Sequence, residues 1–273
     1  MHLRVGDLDR SLAFYTRVLG FHLLSRGDAD ATLGVPGTPL LVLTASPGLE
    51  PRPRRSTGLY HFAVLVPDRG ALGQALLRLA AARWPLQGAS DHAVSEALYL
   101  ADPDGIGIEI YRDRPRDDWP MAGDRVEMVT EPLDLEPILT AAQQDTRDAS
   151  RLPAGTTMGH VHLQVRDVPE ADAFFRGALG FDVMQYMAPS ALFVSAGGYH
   201  HHIGLNTWGT QGAPPQPVNT PGLEYFTVRL PDAAAVQDLR HALATAGIPM
   251  ETRHDGTLVR DPSGNGVLLT ALQ

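Results

Sequence analysis

Two side chains far apart in the chain, the imidazole of His61 and the carboxylate of Glu109, are of the types that hold a divalent cation. The 273 residues include eleven His and no Cys. Without thiolates, any metal centre must be built from imidazole, carboxylate and water. Two imidazoles and one carboxylate gathered on one side of an ion would cancel part of its charge. Such a set leaves coordination positions open for a substrate and a small second reactant. The question is which elements bring His61, Glu109 and one further His together.

Those elements follow from an internal repeat. His2-Leu3-Arg4-Val5-Gly6-Asp7-Leu8 is matched by His162-Leu163-Gln164-Val165-Arg166-Asp167-Val168. Each is followed by an aromatic-rich amphipathic stretch ending in Leu19-Gly20-Phe21 or Leu179-Gly180-Phe181, at a constant register. A second pair relates Gly58-Leu59-Tyr60-His61-Phe62-Ala63-Val64 to Gly222-Leu223-Glu224-Tyr225-Phe226-Thr227-Val228, and Asp102-Pro103-Asp104-Gly105 to Asp261-Pro262-Ser263-Gly264. Helical periodicity in Leu72, Ala75, Leu76 and Leu79, and two-residue alternation in Ile106, Ile108 and Ile110, predict a strand, a helix and then further strands in each segment. Gly20 and Gly180 fall where a helix C-terminus needs a positive φ. We therefore expect an α+β fold of four βαβββ modules, at about 1–46, 57–114, 158–208 and 221–273. They would make two domains, 1–114 and 158–273, joined by a polar connector, 115–157. A short helix in the connector is predicted, with Asp134 capping and Leu135, Ile138 and Leu139 packing. Gly212-Ala213-Pro214-Pro215-Gln216-Pro217 reads as an extended linker.

Strand alternation also assigns faces. Tyr60, Phe62 and Val64 share one face, so His61 lies on the other. The three Ile share a face, so Glu109 points oppositely. Both are expected to look into one cavity, from the first and last strands of the second module.

The run His92-Ala93-Val94-Ser95-Glu96-Ala97-Leu98-Tyr99-Leu100-Ala101-Asp102-Pro103-Asp104-Gly105-Ile106-Gly107-Ile108-Glu109 resembles the signature of type I extradiol ring-cleavage dioxygenases, within the vicinal oxygen chelate superfamily. One departure is Ser90, where the pattern usually has Gly, Asn, Thr, Ile or Val. Gly58 to Ala63, Ser95 to Tyr99 and Gly197-Gly198-Tyr199-His200-His201-His202-Ile203-Gly204 are further similar to the CatE-like catechol-2,3-dioxygenase group, and this resemblance extends over essentially the whole chain. It implies that Glu109 is a metal ligand, Tyr99 a substrate-facing phenol and His92 a group behind it. It also implies Fe(II), with Mn(II) as the other option, an aromatic diol and O₂ as substrates, and ring opening as the reaction.

For the third ligand, His2 and His162 hold equivalent positions in modules one and three. If modules one and two share a cavity the ligand is His2; if two and three do, it is His162. Module four carries Tyr225 and Leu268 where module two has His61 and Glu109. A cavity of modules three and four would then strand His160, His162, His200 and His202 away from any metal, so His162 is favoured. The last strand of module three would aim His200 and His202 inward as candidates for the acid–base group, with Tyr199, His201 and Ile203 on its other face.

A net charge of −9 gives no basic face for nucleic acid and no attraction to an anionic bilayer. No apolar run is long enough to span a membrane, and a cytoplasmic protein is expected. The strand-like start at His2 suggests that a few residues precede it. A homodimer is the base expectation. Two other functions suit the same fold: a metal-dependent isomerase or thiol transferase of the glyoxalase kind, and a metal-free module that sequesters a planar drug.

Overall fold

The computed structural model describes residues 1–123 and 125–272. All four predicted modules form. The first runs through His2–Val5, a helix Leu8–Ala13 continuing as the π-helical turn Phe14–Val18, and strands His22–Arg26, Asp30–Val35 and Thr38–Ala45. The second comprises Gly58–Leu65, the helix Arg69–Ala81, and strands Gly88–Asp91, Ser95–Ala101 and Gly107–Asp113. The third has Thr157–Gln164, Val168–Asp172 with the π turn Ala173–Ala178, and strands Asp182–Met187, Ala191–Ser195 and Ile203–Asn206. The fourth has Gly222–Leu230, the helix Ala233–Thr245, and strands Met250–Arg253, Gly256–Arg260 and Gly266–Ala271.

One device starts every module's helix. Asp7, Asp68, Asp167 and Asp232 each stand just before it in extended backbone, and each side chain accepts the N–H three residues on. The carboxylate thereby satisfies one of the donors that a helix start leaves without a partner. Gly20 and Gly180 close the first and third helices at φ of 89° and 80°, as their positions require.

By compactness the chain divides into two units, one of residues 4–49 and 60–160, the other of residues 1–3, 50–59 and 161–273. In the first, the strands Glu131–Pro132, Gly88–Asp91, Ser95–Ala101, Gly107–Asp113 and Gly58–Leu65 lie side by side in that order. Gly58–Leu65 and Gly107–Asp113 run parallel, and Ser95–Ala101 is antiparallel to the latter. The helix Arg69–Ala81 buries Leu72, Ala75 and Leu79, as its periodicity predicts. Its first turn is tied down by Glu96, whose carboxylate receives Arg69 and Arg112. Thr157–Gln164 begins in the first unit, which includes His160, and continues in the second, where it, Ile203–Asn206, Ala191–Ser195 and Asp182–Met187 are neighbours in that order, as are Gly222–Leu230, Gly266–Ala271, Gly256–Arg260 and Met250–Arg253.

Two local expectations change. The connector helix spans Glu136–Gln144 and buries Ile138 and Ala142, but Leu135 occupies its cap position. Asp134 instead accepts the Glu136 N–H in a tight turn before it. The His tract is not strand: Gly197 and Gly198 both adopt φ of 66°, which makes a turn, and the strand begins only at Ile203. Among the described residues, no helix is long and apolar enough to cross a membrane.

Candidate metal centre

The cavity face of the second module is built row by row. On Gly107–Asp113, Gly107, Glu109 and Tyr111 share a face, opposite the buried Ile108 and Ile110. Register sets Tyr99 directly across from Glu109 on one side and Ala63 on the other. His61 stands one same-face position before Ala63. An imidazole, a carboxylate and a phenol therefore converge on one patch by strand geometry alone.

His61, Glu109 and His160 form the one group among the described residues in which three potential metal donors approach one another, all within 4.8 Å. Nε2 of His61 and Nε2 of His160 each lie 3.0 Å from the same oxygen, Oε2 of Glu109. The three are 7, 4 and 2% exposed, in the order His61, His160, Glu109. Burial by itself would push the Glu109 carboxyl up, but the charge and hydrogen bond of His160, with His61, outweigh it and hold it well below the usual carboxylate range. Donors in adjacent positions on a divalent ion with bonds of ~2.1 Å lie roughly 3.0 Å apart. Two neutral nitrogens and one anionic oxygen at that spacing fit such an ion, and the set leaves its remaining positions open.

Behind Glu109 runs a directed hydrogen-bond chain. His92 Nδ1 lies 2.6 Å from the Val129 carbonyl, and His92 Nε2 lies 2.7 Å from the Tyr99 hydroxyl. A carbonyl only accepts, so Nδ1 carries a proton; the Tyr99 hydroxyl stands between His92 Nε2 and the Glu109 carboxylate, which also only accepts. Burial, then the charge of Glu109 and a hydrogen bond to its carboxylate, raise the Tyr99 hydroxyl well above the usual phenol range, so the phenol stays protonated.

Each of the other predicted residues has surroundings of its own. The third donor in the cluster is His160, two positions before His162 on Thr157–Gln164. His162 packs between Phe193 and Trp208, with ring centroids 5.6 Å from each. His2 meets Tyr225 edge-on at 5.0 Å, and Tyr225 occupies the position that His61 holds in the other module. His200 is fully buried, its Nδ1 2.9 Å from Nδ1 of His201. His202 Nδ1 accepts the Ala196 N–H and lies 2.9 Å from the Ser195 hydroxyl. The residue that strand alternation could have named as readily is His160, which shares the face of His162.

The family model described as Glyoxalase/Bleomycin resistance protein/Dioxygenase superfamily matches residues 1–110 and 157–269. A catechol-2,3-dioxygenase from Bacillus subtilis is 47% identical over 265 residues, 95% of this chain and 92% of that protein. A lactoylglutathione lyase from Pseudomonas putida is 31% identical over 151 residues, which is 41% of this chain and 83% of the relative. Among solved structures, a Bacillus subtilis protein aligns over 99% of this chain and 84% of its own, with TM-score 0.67 and 16% identity. Glyoxalase I from Zea mays aligns over 98% and 89%, with TM-score 0.58 and 17% identity. These two structural likenesses speak for the fold.

Proposed function

We infer that the chain, which belongs to the Glyoxalase/Bleomycin resistance protein/Dioxygenase superfamily and is 47% identical to a catechol-2,3-dioxygenase, is a ring-cleaving dioxygenase of that type, acting in the cytoplasm on an aromatic diol and O₂. The observation that carries this reading is the convergence of two imidazole nitrogens on one buried carboxylate oxygen, at 3.0 Å each. His61, His160 and Glu109 would hold the metal, with His160 taking the place expected for His162 or His2. When bound, an Fe(II) ion, with Mn(II) as the alternative, supplies a Lewis acid that lowers the pKa of a diol hydroxyl and a redox-active centre for O₂.

The protein's own groups supply the rest. Glu109 contributes the single negative charge of the ligand set, while His61 and His160 act as neutral donors. Tyr99, opposite Glu109, presents a hydroxyl held between that carboxylate and the His92 ring, and so fixes the orientation of an oxygen brought beside it. His200 and His202 are the two candidates for the general base.

The test is oxygen uptake with catechol, read beside the metal content of protein purified without oxygen. Glu109→Gln should lose retained metal and turnover together; a fully active variant would overturn the ligand assignment. Parent enzyme that transforms its substrate without consuming O₂ would instead move the chain to the isomerases and thiol transferases of the same superfamily.

A further inference from the structure

We infer that Tyr111 is a positioning residue for His160, and that residue 159 is glycine because the Tyr111 phenol fills the space a side chain there would take; the inference rests on the reading of His61, Glu109 and His160 as ligands. Tyr111 follows Glu109 by one same-face position on Gly107–Asp113, across from Ala97 on one neighbouring strand and Leu65 on the other. Its side chain is fully buried in a layer with Ala63 and Ala97, against which Leu65 and Tyr99 pack. The small Ala63 and Ala97 leave room for the ring beneath the donors.

Two contacts connect this layer to His160. The Tyr111 and His160 rings have centroids 4.8 Å apart at an interplanar angle of 52°. A Cβ built on Gly159 would fall 1.9 Å from the Tyr111 hydroxyl and 2.6 Å from the ring carbon bearing it. No side chain at 159 is compatible with the phenol where it stands. The strand therefore approaches Tyr111 closely at Gly159, and the next residue, His160, lays its ring against the same phenol while its Nε2 reaches Glu109. A ligand ring fixed on one side by an aromatic wall and on the other by the carboxylate has its orientation set before an ion arrives. Loss of such support lowers metal affinity without removing a donor.

The experiment uses the full chain and Co(II) alone as probe, reading three quantities: affinity by titration, the visible absorption of bound Co(II), and melting of the chelated protein. Tyr111→Leu should weaken Co(II) binding by about tenfold to a hundredfold and change the absorption bands, while chelated protein still melts cooperatively. Tyr111→Phe, which keeps the ring, should bind within about threefold of the parent. Gly159→Ala should weaken binding, and adding Tyr111→Leu to it should recover part of the loss because the colliding ring is gone. A folded Tyr111→Leu with parental affinity and spectrum overturns the inference, as does a double variant no better than Gly159→Ala. Should Tyr111→Leu not fold, Tyr111→Met is read the same way. If both stay unfolded even with Co(II), Tyr111 is a core residue only and the inference fails. His160→Ala separates the two levels: parental Co(II) affinity there removes the ligand reading itself, whereas loss there with parental binding in Tyr111→Leu removes only the positioning role.

Discussion

Tyr99 illustrates how much of the chemistry resides in single protons. Its hydroxyl hydrogen-bonds the Glu109 carboxylate and lies 2.7 Å from one nitrogen of a His92 ring whose other nitrogen is committed to the Val129 carbonyl. Tyr99→Phe removes that donor and leaves every metal ligand in place. We expect kcat for catechol cleavage to fall by about tenfold to a hundredfold, in keeping with loss of a hydrogen bond to charge worth about 1.5–3 kcal/mol. Metal content should stay at the parental level; a Tyr99→Phe enzyme that turns over normally would take this phenol out of the chemistry. At this scale the sequence was informative but incomplete. Alternation put His61 and Glu109 on one face, and the His92-to-Glu109 run singled out Tyr99. The same alternation puts His160 and His162 on one face too, roughly 7 Å apart along the strand. Which of them lies level with Glu109 depends on where the strand sits relative to its neighbours, and no periodicity within a single strand encodes that.

The elements were legible wherever a short-range signal specified them. Four βαβββ modules follow from periodicity, and each helix opens on an aspartate whose side chain takes the N–H three residues later. Those caps were present in the sequence as a repeated signal: Asp7 and Asp167 hold matching places before helices one and three, Asp68 and Asp232 before two and four. The His tract was harder, because alternation reads equally well across a turn made by two consecutive glycines. The Asp-Pro turns form another repeated pair. Asp102 accepts the N–H groups of Asp104 and Ile106, and Asp261 those of Ser263 and Asn265. Burial dominates both, and each carboxyl is pushed up to about 6. A carboxyl raised in the folded state binds its proton more tightly there than in the unfolded chain. Its contribution to stability is complete below about pH 4 and is lost as pH rises through about 6. Asp102→Asn removes that loss. Relative to the parent, the variant's unfolding free energy should improve by about 2 kcal/mol between pH 4.5 and 7, in urea titrations at the two pH values. An unchanged difference would show that Asp102 is ionised at no such penalty.

Across the whole molecule, four copies of one module carry a single set of donors among the described residues. In the fourth module, Tyr225 and Leu268 take the positions of His61 and Glu109 and pack with Leu258 as a small apolar cluster. The Tyr225 hydroxyl there is directed to Asp255. The module is thus repeated in full, while the group of donors that could hold an ion occurs once among the described residues. An ion held by His61, His160 and Glu109 would link distant parts of the chain, and its binding to the folded state alone would stabilise that state by mass action. With the ion at about a thousand times its Kd the gain is about 4 kcal/mol, on the order of 10 °C in Tm for a chain of this size. Chelation should lower the melting temperature by that amount and Fe(II) added without oxygen should restore it; a melting curve indifferent to both would mean that the fold does not contain the site. The connector enters this picture through its main chain. His92 is gripped by a peptide oxygen, while its own carbonyl receives the Val129 N–H and Glu131–Pro132 pairs with Asp91 and Ser90. Exchange of side chains along this stretch would leave that oxygen where it is. Inserting or deleting one residue between Val129 and Glu131 would not, since it would slide the peptide out of reach of the ring. Drift in the connector's composition should therefore be silent at the reacting end of the enzyme, and drift in its length should not.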